Sequence, residues 1–410
     1  MLDKQYLTLK NALDLLLAKI PFKSLPSEEI PIEEAYFRIA AEDVFSPENL
    51  PGFKRSTVDG FAVRAQDTFG AKDTMPAYLT VKGEILMGAV PSFELNPGEA
   101  AYIPTGGMLP KGADAVVMVE HVNVVSSDLI EILKPVGPLE NVILEDEDIK
   151  KGELVISAGT KLKPHHIGGL AGLGITKIKV TAKPKVGIIL TGDEIIPHHE
   201  KVSPGKVRDI NSFTLAGMIL EEGGIPVKFG IVKDDYQAIK ELVTKAYHQT
   251  DMVLITGGTS AGTKDVTAQV IDELGPPGVL FHGVSIKPGK PIIGGLCGNK
   301  PIFGLPGHPV AVYVCFSFLV KPVLQKMMGL ASKNYTPFIK AKMAKSIQSQ
   351  AGRTDFIRVY LEEKDGKLYA VPLISKSGLI MSLVKADGIV IISEDLLGIE
   401  KDEEVAVFLC

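Results

Sequence analysis

Two lysines sit on one short, stiff loop, Lys287-Pro288-Gly289-Lys290-Pro291. Proline fixes the backbone and glycine permits a tight bend, so the loop holds two cations in a non-helical geometry suited to a phosphate or another oxyanion. A solvated basic turn has the same composition. Upstream, Gly257-Gly258-Thr259-Ser260-Ala261-Gly262 follows a buried apolar run and precedes a helical pattern. Glycines there allow close backbone approach, and amides converge beside a helix N-terminus, the physics of an anion cradle. It is not a Walker A loop, because Gly262-Thr263-Lys264 has the order reversed. An ordinary tight turn would look the same in isolation.

Five carboxylates, Asp193, Glu194, Asp234, Asp235 and Asp265, fall at the ends of expected strands or in the loops that follow. Any one of them also suits a turn or a helix cap. As a set sharing one sheet edge they repel one another, and a divalent cation with a taste for oxygen ligands and phosphate, such as Mg²⁺, is their natural partner. Arginine is scarce: Arg38, Arg55, Arg64, Arg208, Arg353 and Arg358 stand against 38 lysines. Because guanidinium recognises oxyanions in bidentate fashion, attention falls on Arg55 and Arg64 around Ser56–Phe61, and on Arg353 and Arg358. His165-His166 and His198-His199 lack acidic or thiol neighbours at ligand spacing and are expected at the surface or as caps.

These groups need elements to hold them. Residues 5–20 carry helical spacing ended by Pro21. From about 46 to 144 short β-type runs alternate with Pro and Gly. Residues 153–180 predict a strand, a helix near 165–173 and a strand, packing back on the N-terminal helix as one discontinuous domain. After Pro184 the pattern becomes strand (185–190), helix capped by Asn211, strand (226–232), helix (236–248), strand (252–255) and helix (266–274). That alternation indicates βαβ units and a mainly parallel sheet, whose carboxyl ends gather ligands. A helix at 309–328 and short strands over 338–410 follow. The expected domains are 1–45 with 145–180, 46–144, 181–328 and 329–410.

In 410 residues, 45% are hydrophobic and 23% charged, which is globular composition, and the net charge of −5 argues against nucleic acid or an anionic membrane as partner. No apolar run of about 18 residues and no signal-peptide pattern is read, Val310–Val320 coming closest. Cys297, Cys315 and Cys410 are too few and too scattered for a disulfide framework or zinc site, and the expected location is the reduced cytoplasm.

Taken in order, the segments resemble the molybdopterin molybdotransferase family, the MoeA proteins and the gephyrin E domain. The match includes Leu50-Pro51-Gly52-Phe53, Ser56-Thr57-Val58-Asp59-Gly60-Phe61, Pro104-Thr105-Gly106-Gly107, Thr191-Gly192-Asp193-Glu194, Gly257-Gly258-Thr259-Ser260, the Lys287–Pro291 loop and Gly304-Leu305-Pro306-Gly307-His308-Pro309. The resemblance implies a discontinuous N-terminal α+β domain, an inserted β domain, a Rossmann-like α/β molybdopterin-binding domain and a C-terminal β-barrel-like domain, in an elongated homodimer. It implies insertion of molybdate (or tungstate) into adenylylated molybdopterin with release of AMP and a requirement for Mg²⁺. A molybdopterin adenylyltransferase is a candidate partner. Catalytic roles are expected for Asp59 and Thr105, from the second subunit, and for Glu194 and Lys287. Glu194, Asp234 and Asp265 would hold the metal. Gly257, Gly258, Ser260, Asp234, Asp265, Lys290, Arg358 and Ser377 would bind pterin phosphate or oxyanion.

Three departures stand out. The arginine-rich run frequent in the family is here the acidic Asn141–Asp148, a family lysine is replaced by Gly283, and His308 stands where asparagine is usual. They leave room for an alternative, a catalytically impaired molybdopterin-binding or scaffold paralogue. A nucleotide hydrolase on a related α/β domain is a third reading, disfavoured by the extra β domain and the lysine loop.

Overall fold

The apolar runs 185–191 and 252–256 are continuous because both faces of their strands are covered. In the computed structural model, which describes residues 6–257, 266–331 and 338–410, these strands lie inside a six-stranded sheet. Its order is Ile225–Val232, Lys185–Thr191, Met252–Thr256, Lys300–Leu305, Ile293–Cys297, Pro277–His282. The first four are mutually parallel and the last two antiparallel. Alternate residues serve opposite faces: Ile188, Leu190, Met252 and Leu254 join one core, Ile189, Val253 and Ile255 the other. Helices Tyr236–Gln249 and Val266–Leu274 cover the second face. Asn211–Glu221 and the helix from Pro309 to Met327, which contains a π turn at Phe316–Val320, cover the first.

The 309–327 helix is long and apolar enough to cross a bilayer by length and composition. Its Val310, Val312, Val314, Phe316, Leu319 and Val320 are instead buried against the sheet. Most of its apolar surface is therefore already used.

The N-terminal helix, Leu9–Lys19, is capped by Thr8 Oγ1 accepting from the Asn11 amide at 3.2 Å. It does not pack on residues 153–180 as expected. Ala12, Leu16 and Ile20 enter the α/β core, against the C-terminal end of the 309–327 helix and strand Pro277–His282. The reason is that 27–45 and 153–180 close a core of their own, from Ile32, Ala35, Ile156, Leu162, Ile167, Leu170, Ile178 and Val180. The strand pairs Ser27–Pro31 with Lys177–Thr181 and Val44–Phe45 with Leu154–Ile156 hold it together. The α/β core by contrast has an apolar face left to cover.

Between these two stretches the chain forms a second six-stranded sheet, Ala115–Met118, Gly60–Val63, Glu99–Ile103, Ala77–Glu84, Leu129–Ile132, Val122–Ser126, with a small core on each face. At the C-terminus Thr354–Lys364, Lys367–Pro372, Ile339–Met343, Glu404–Leu409 and Gly388–Ile392 pair in a ring, because Gly388–Ile392 also pairs with Thr354–Lys364. Five strands thus close a barrel around Met343, Val359, Val390, Ile392 and Val407, which removes the sheet edges. One further strand, Ile286–Lys287, adds to the barrel in parallel, with Lys287 opposite Asp355. That pairing stitches the two-lysine loop of the α/β domain to the barrel and fixes the site described next.

Candidate functional site: a trough from sheet edge to barrel

At the carboxyl ends of the parallel strands the backbone is braced by buried polar groups. Gly257 follows strand Met252–Thr256 with φ +101°, and a Cβ there would lie 2.1 Å from the Thr191 carbonyl oxygen. Only glycine lets these two strand ends meet so closely. The Asn211 amide donates to Thr256 Oγ1 at 3.0 Å and to the Gly307 carbonyl at 2.9 Å, while Thr256 Oγ1 donates to the Pro306 carbonyl at 3.2 Å. Asn211 therefore does not cap its helix. The capping contact comes from Asp209, whose carboxylate accepts from the Ser212 amide at 3.0 Å, and Asn211 is turned inward to tie helix, strand end and the Gly304–Pro309 loop together.

Two clefts share Pro291, Pro306 and His308 along their common border. The larger, about 880 Å³, lies between the α/β domain and the barrel and brings together Lys287, Lys290, Arg358 and Ser377. Arg358 is only 7% exposed. One guanidinium nitrogen donates to the Ser375 carbonyl at 2.9 Å, and burial pulls its pKa below the usual guanidinium value. Its Nε, also buried, has no hydrogen-bond partner among the described residues. A guanidinium in a cleft wall is a group that an oxyanion can engage. Ser377 Oγ lies 2.8 Å from His308 Nδ1, so the histidine that replaces asparagine is engaged with an expected ligand-binding hydroxyl. Lys290 Nζ stands 4.2 Å above the Tyr6 ring centroid. That ring occupies the space over Gly283, where a Cβ would come within 2.3 Å of it at φ +100°.

Sequence reasoning overlooked Asp355 and Tyr6. Asp355 is buried and paired in bidentate fashion with Arg353, Nε to Oδ1 at 2.6 Å and an outer nitrogen to Oδ2 at 2.9 Å. Arg353 lies just ahead of strand Thr354–Lys364, and its long side chain reaches forward to Asp355. Nothing in the sequence brings Tyr6 to Gly283; that contact depends on the tertiary placement of the first helix.

The smaller cleft, about 530 Å³, is bordered by Glu194, Arg208, Asn211 and Gly257. Asp234 is exposed beyond strand Ile225–Val232 and borders neither cleft. Asp235 caps the following helix, accepting from the Ala238 amide at 2.8 Å. Gly258, Ser260 and Asp265 lie outside the described residues. Among the described residues no three His, Cys, Asp or Glu side chains cluster as a metal site. Neither the Glu194 nor the Asp234 carboxylate has an ion pair there. Of the carboxylates expected to hold a metal, Glu194 alone among the described residues borders one of these clefts.

Asp59 and Thr105 meet each other but border neither cleft. Asp59 Oδ1 accepts from the Thr105 amide at 2.6 Å and from its hydroxyl at 2.8 Å. Those two bonds, the amide's first, hold the exposed carboxyl below its ordinary pKa. In the acidic stretch that departs from the family pattern, Glu147 accepts from the Leu144 amide at 2.7 Å and Glu145 from Asn49 at 3.1 Å. Glu147 thus serves the local turn, and Glu145 ties the stretch to the distant Asn49. His166 likewise takes a capping role, accepting from the Lys163 amide at 2.9 Å.

Residues 7–174 match the MoeA N-terminal region (domains I and II), 187–326 the probable molybdopterin binding domain, and 340–410 the MoeA C-terminal region (domain IV). A putative molybdopterin biosynthesis protein of Methanocaldococcus jannaschii is 40% identical over 93% of this chain and 92% of its own. The molybdopterin molybdenumtransferase of Bacillus subtilis is 32% identical over 93% and 90%. The crystal structure of a molybdopterin biosynthesis moeA protein from Pyrococcus horikoshii superimposes with a TM-score of 0.86 at 37% identity, covering 99% of this chain and 100% of that one. With three matched regions in register along nearly its whole length, the chain belongs to the MoeA family of molybdopterin molybdenumtransferases, proteins of molybdenum cofactor biosynthesis.

Proposed function

We propose that this protein inserts molybdate or tungstate into adenylylated molybdopterin and releases AMP. The observation that carries the reading is the convergence of Lys287, Lys290, Arg358 and Ser377 on one cleft. Oxyanion and substrate phosphates are both negative, and bringing them together in water is opposed by their repulsion. Fixed cations in a partly enclosed cleft offset that repulsion and cost no reorganisation as the reaction proceeds. Lys287 and Lys290 supply movable ammonium groups, Arg358 a rigid planar donor and Ser377 a hydroxyl oriented by His308. Glu194, with Asp265, would hold Mg²⁺, which would screen phosphate charge when bound, whereas Asp234 stands outside both clefts.

We infer further that the working unit is a homodimer. Asp59 and Thr105 form a preorganised, ionised acceptor pair on the β domain, away from both clefts of their own chain, and a second copy would bring such a pair to the trough. Purified protein incubated with adenylylated molybdopterin, Mg²⁺ and molybdate or tungstate should release AMP and yield metal-loaded cofactor. Tight substrate binding without AMP release would overturn the reading.

A further inference from the structure

Beyond the two clefts just described, the trough continues. A third cleft of about 650 Å³ shares Leu190, Ile195 and Asp209 with the Glu194 cleft and runs on to the edge strand Ile225–Val232. Its character differs from that of the other two. Phe213, in the first turn of helix Asn211–Glu221, is 48% exposed there. Lys228 Nζ stands 3.5 Å from its ring centroid, and the His198 ring meets it edge-on at 4.7 Å. Lys206 and Lys233 border the same space, Lys206 donating to the Asp193 carbonyl at 2.6 Å. Of the two acids bordering it, Asp209 is already engaged by the Ser212 amide and hydroxyl, and Asp193 meets Lys206 through its backbone carbonyl.

We propose that this third cleft seats the nucleobase of the adenylylated substrate, stacked on Phe213, with Lys206, Lys228 and Lys233 around its ribose and phosphate. The inference rests on the reading of the large cleft as the oxyanion site. The oxyanion must reach the sulfur pair beside the pterin, so the pterin end of the substrate lies toward Lys287 and Arg358. The substrate's phosphates then cross the strand ends at Glu194 and Gly257, and its adenylyl end arrives where the trough ends, at Phe213. An exposed aromatic ring is sequence-tolerant for planar heterocycles, because every base presents a π face. Lys228, on a flexible four-carbon stem, is a replaceable partner for that ring and a ready counter-charge for a phosphate. Release of AMP then empties one end of the trough while the loaded pterin remains at the other.

The chain contains no tryptophan, so Phe213→Trp creates a single fluorescent reporter at the proposed stacking position. AMP should quench it with the dissociation constant found by calorimetry for the same variant, whereas ribose 5-phosphate should not, and neopterin, which lacks the phosphate held by the lysines, should do so only far more weakly. By calorimetry, Phe213→Ala should weaken AMP by roughly tenfold or more, as loss of one base–aromatic stack does, and leave ribose 5-phosphate unchanged. Phe213→Trp should retain AMP affinity within a few-fold, and matching thermal transitions show that both variants fold. AMP binding unaltered by Phe213→Ala, AMP heat without quenching, quenching by neopterin in place of AMP, or no AMP binding at all would each overturn the assignment. AMP release from adenylylated molybdopterin by the wild-type protein is measured separately, so a misplaced base and a misread reaction give different results.

Discussion

Arg353 neutralises a carboxylate that would otherwise stand unpaired in the wall of the oxyanion cleft, which makes Arg353→Ala a test of the cleft's electrostatics. Asp355 keeps 3% of its side chain in solvent and Arg353 25%, so the pair is buried on one side and partly screened on the other. Removing one member of a buried pair costs about 3–5 kcal/mol, and the partial exposure of Arg353 places the expectation near about 3 kcal/mol. At about 4–8 °C per kcal/mol for a domain of this size, the thermal transition of the barrel should fall by roughly 12–24 °C. The same change alters binding. Asp355 lies in register with Lys287 on the neighbouring strand. Taking a separation of about 8 Å for illustration, an uncompensated charge at an effective dielectric of about 20 opposes a bound anion by about 2 kcal/mol per unit charge, or ~30-fold in affinity. Tungstate binding by calorimetry at pH 8 in low salt reads this directly. Adding Asp355→Asn to Arg353→Ala should recover most of the affinity, because the charge is gone even though the pair is not restored. Wild-type tungstate affinity and an unshifted transition in Arg353→Ala would refute the reasoning.

Three further outcomes follow from local geometry. Gly257→Ala forces a side chain to φ +101° against the Thr191 carbonyl and should cost about 3 kcal/mol or more by calorimetric unfolding, whereas Gly352→Ala, at φ +79° with open space around it, should cost only about 1 kcal/mol. Gly283→Ala expels the Tyr6 ring and should destabilise by about 1–3 kcal/mol, and Tyr6→Ala in the same chain should cost less than the sum of the two. For Asp59, the lowered pKa means that its bonds from Thr105 stabilise the fold above the ordinary carboxyl pKa, and that this stability is lost as pH falls through the depressed value. Thr105→Val should raise that pKa only in part, as followed by carboxyl-carbon NMR, because the amide bond, the larger cause, remains; a return to the ordinary value would assign the effect to the hydroxyl.

Strand–helix alternation after Pro184 was legible because buried parallel strands are continuous apolar runs and their helices carry amphipathic spacing. The residues at those strand ends were legible for the same reason, as Gly257 and Glu194 demonstrate. Pairings between distant segments were not. Closure of the five-stranded barrel depends on Gly388–Ile392 finding Thr354–Lys364, and no local pattern announces that contact. Asn211 suits a helix cap by residue type, yet its amide does more as a buried brace between Thr256 and Gly307. The first helix was assigned to the wrong core, since an apolar stripe specifies burial and not a partner. Asp234 had the right residue type and strand end but is exposed and borders none of the three clefts, although its neighbour Lys233 borders the third.

The most direct test of the composite site uses two variants in one assembly. Asp59→Asn and Glu194→Gln, each purified alone, should release no AMP while still folding with a single cooperative thermal transition. Co-expressed under separate tags, they should recover about a quarter of wild-type AMP release, since half of randomly paired dimers carry one site with both residues intact. Full activity in either variant alone, or a co-expressed mixture as inactive as its parents, would contradict a site assembled from two copies of this chain.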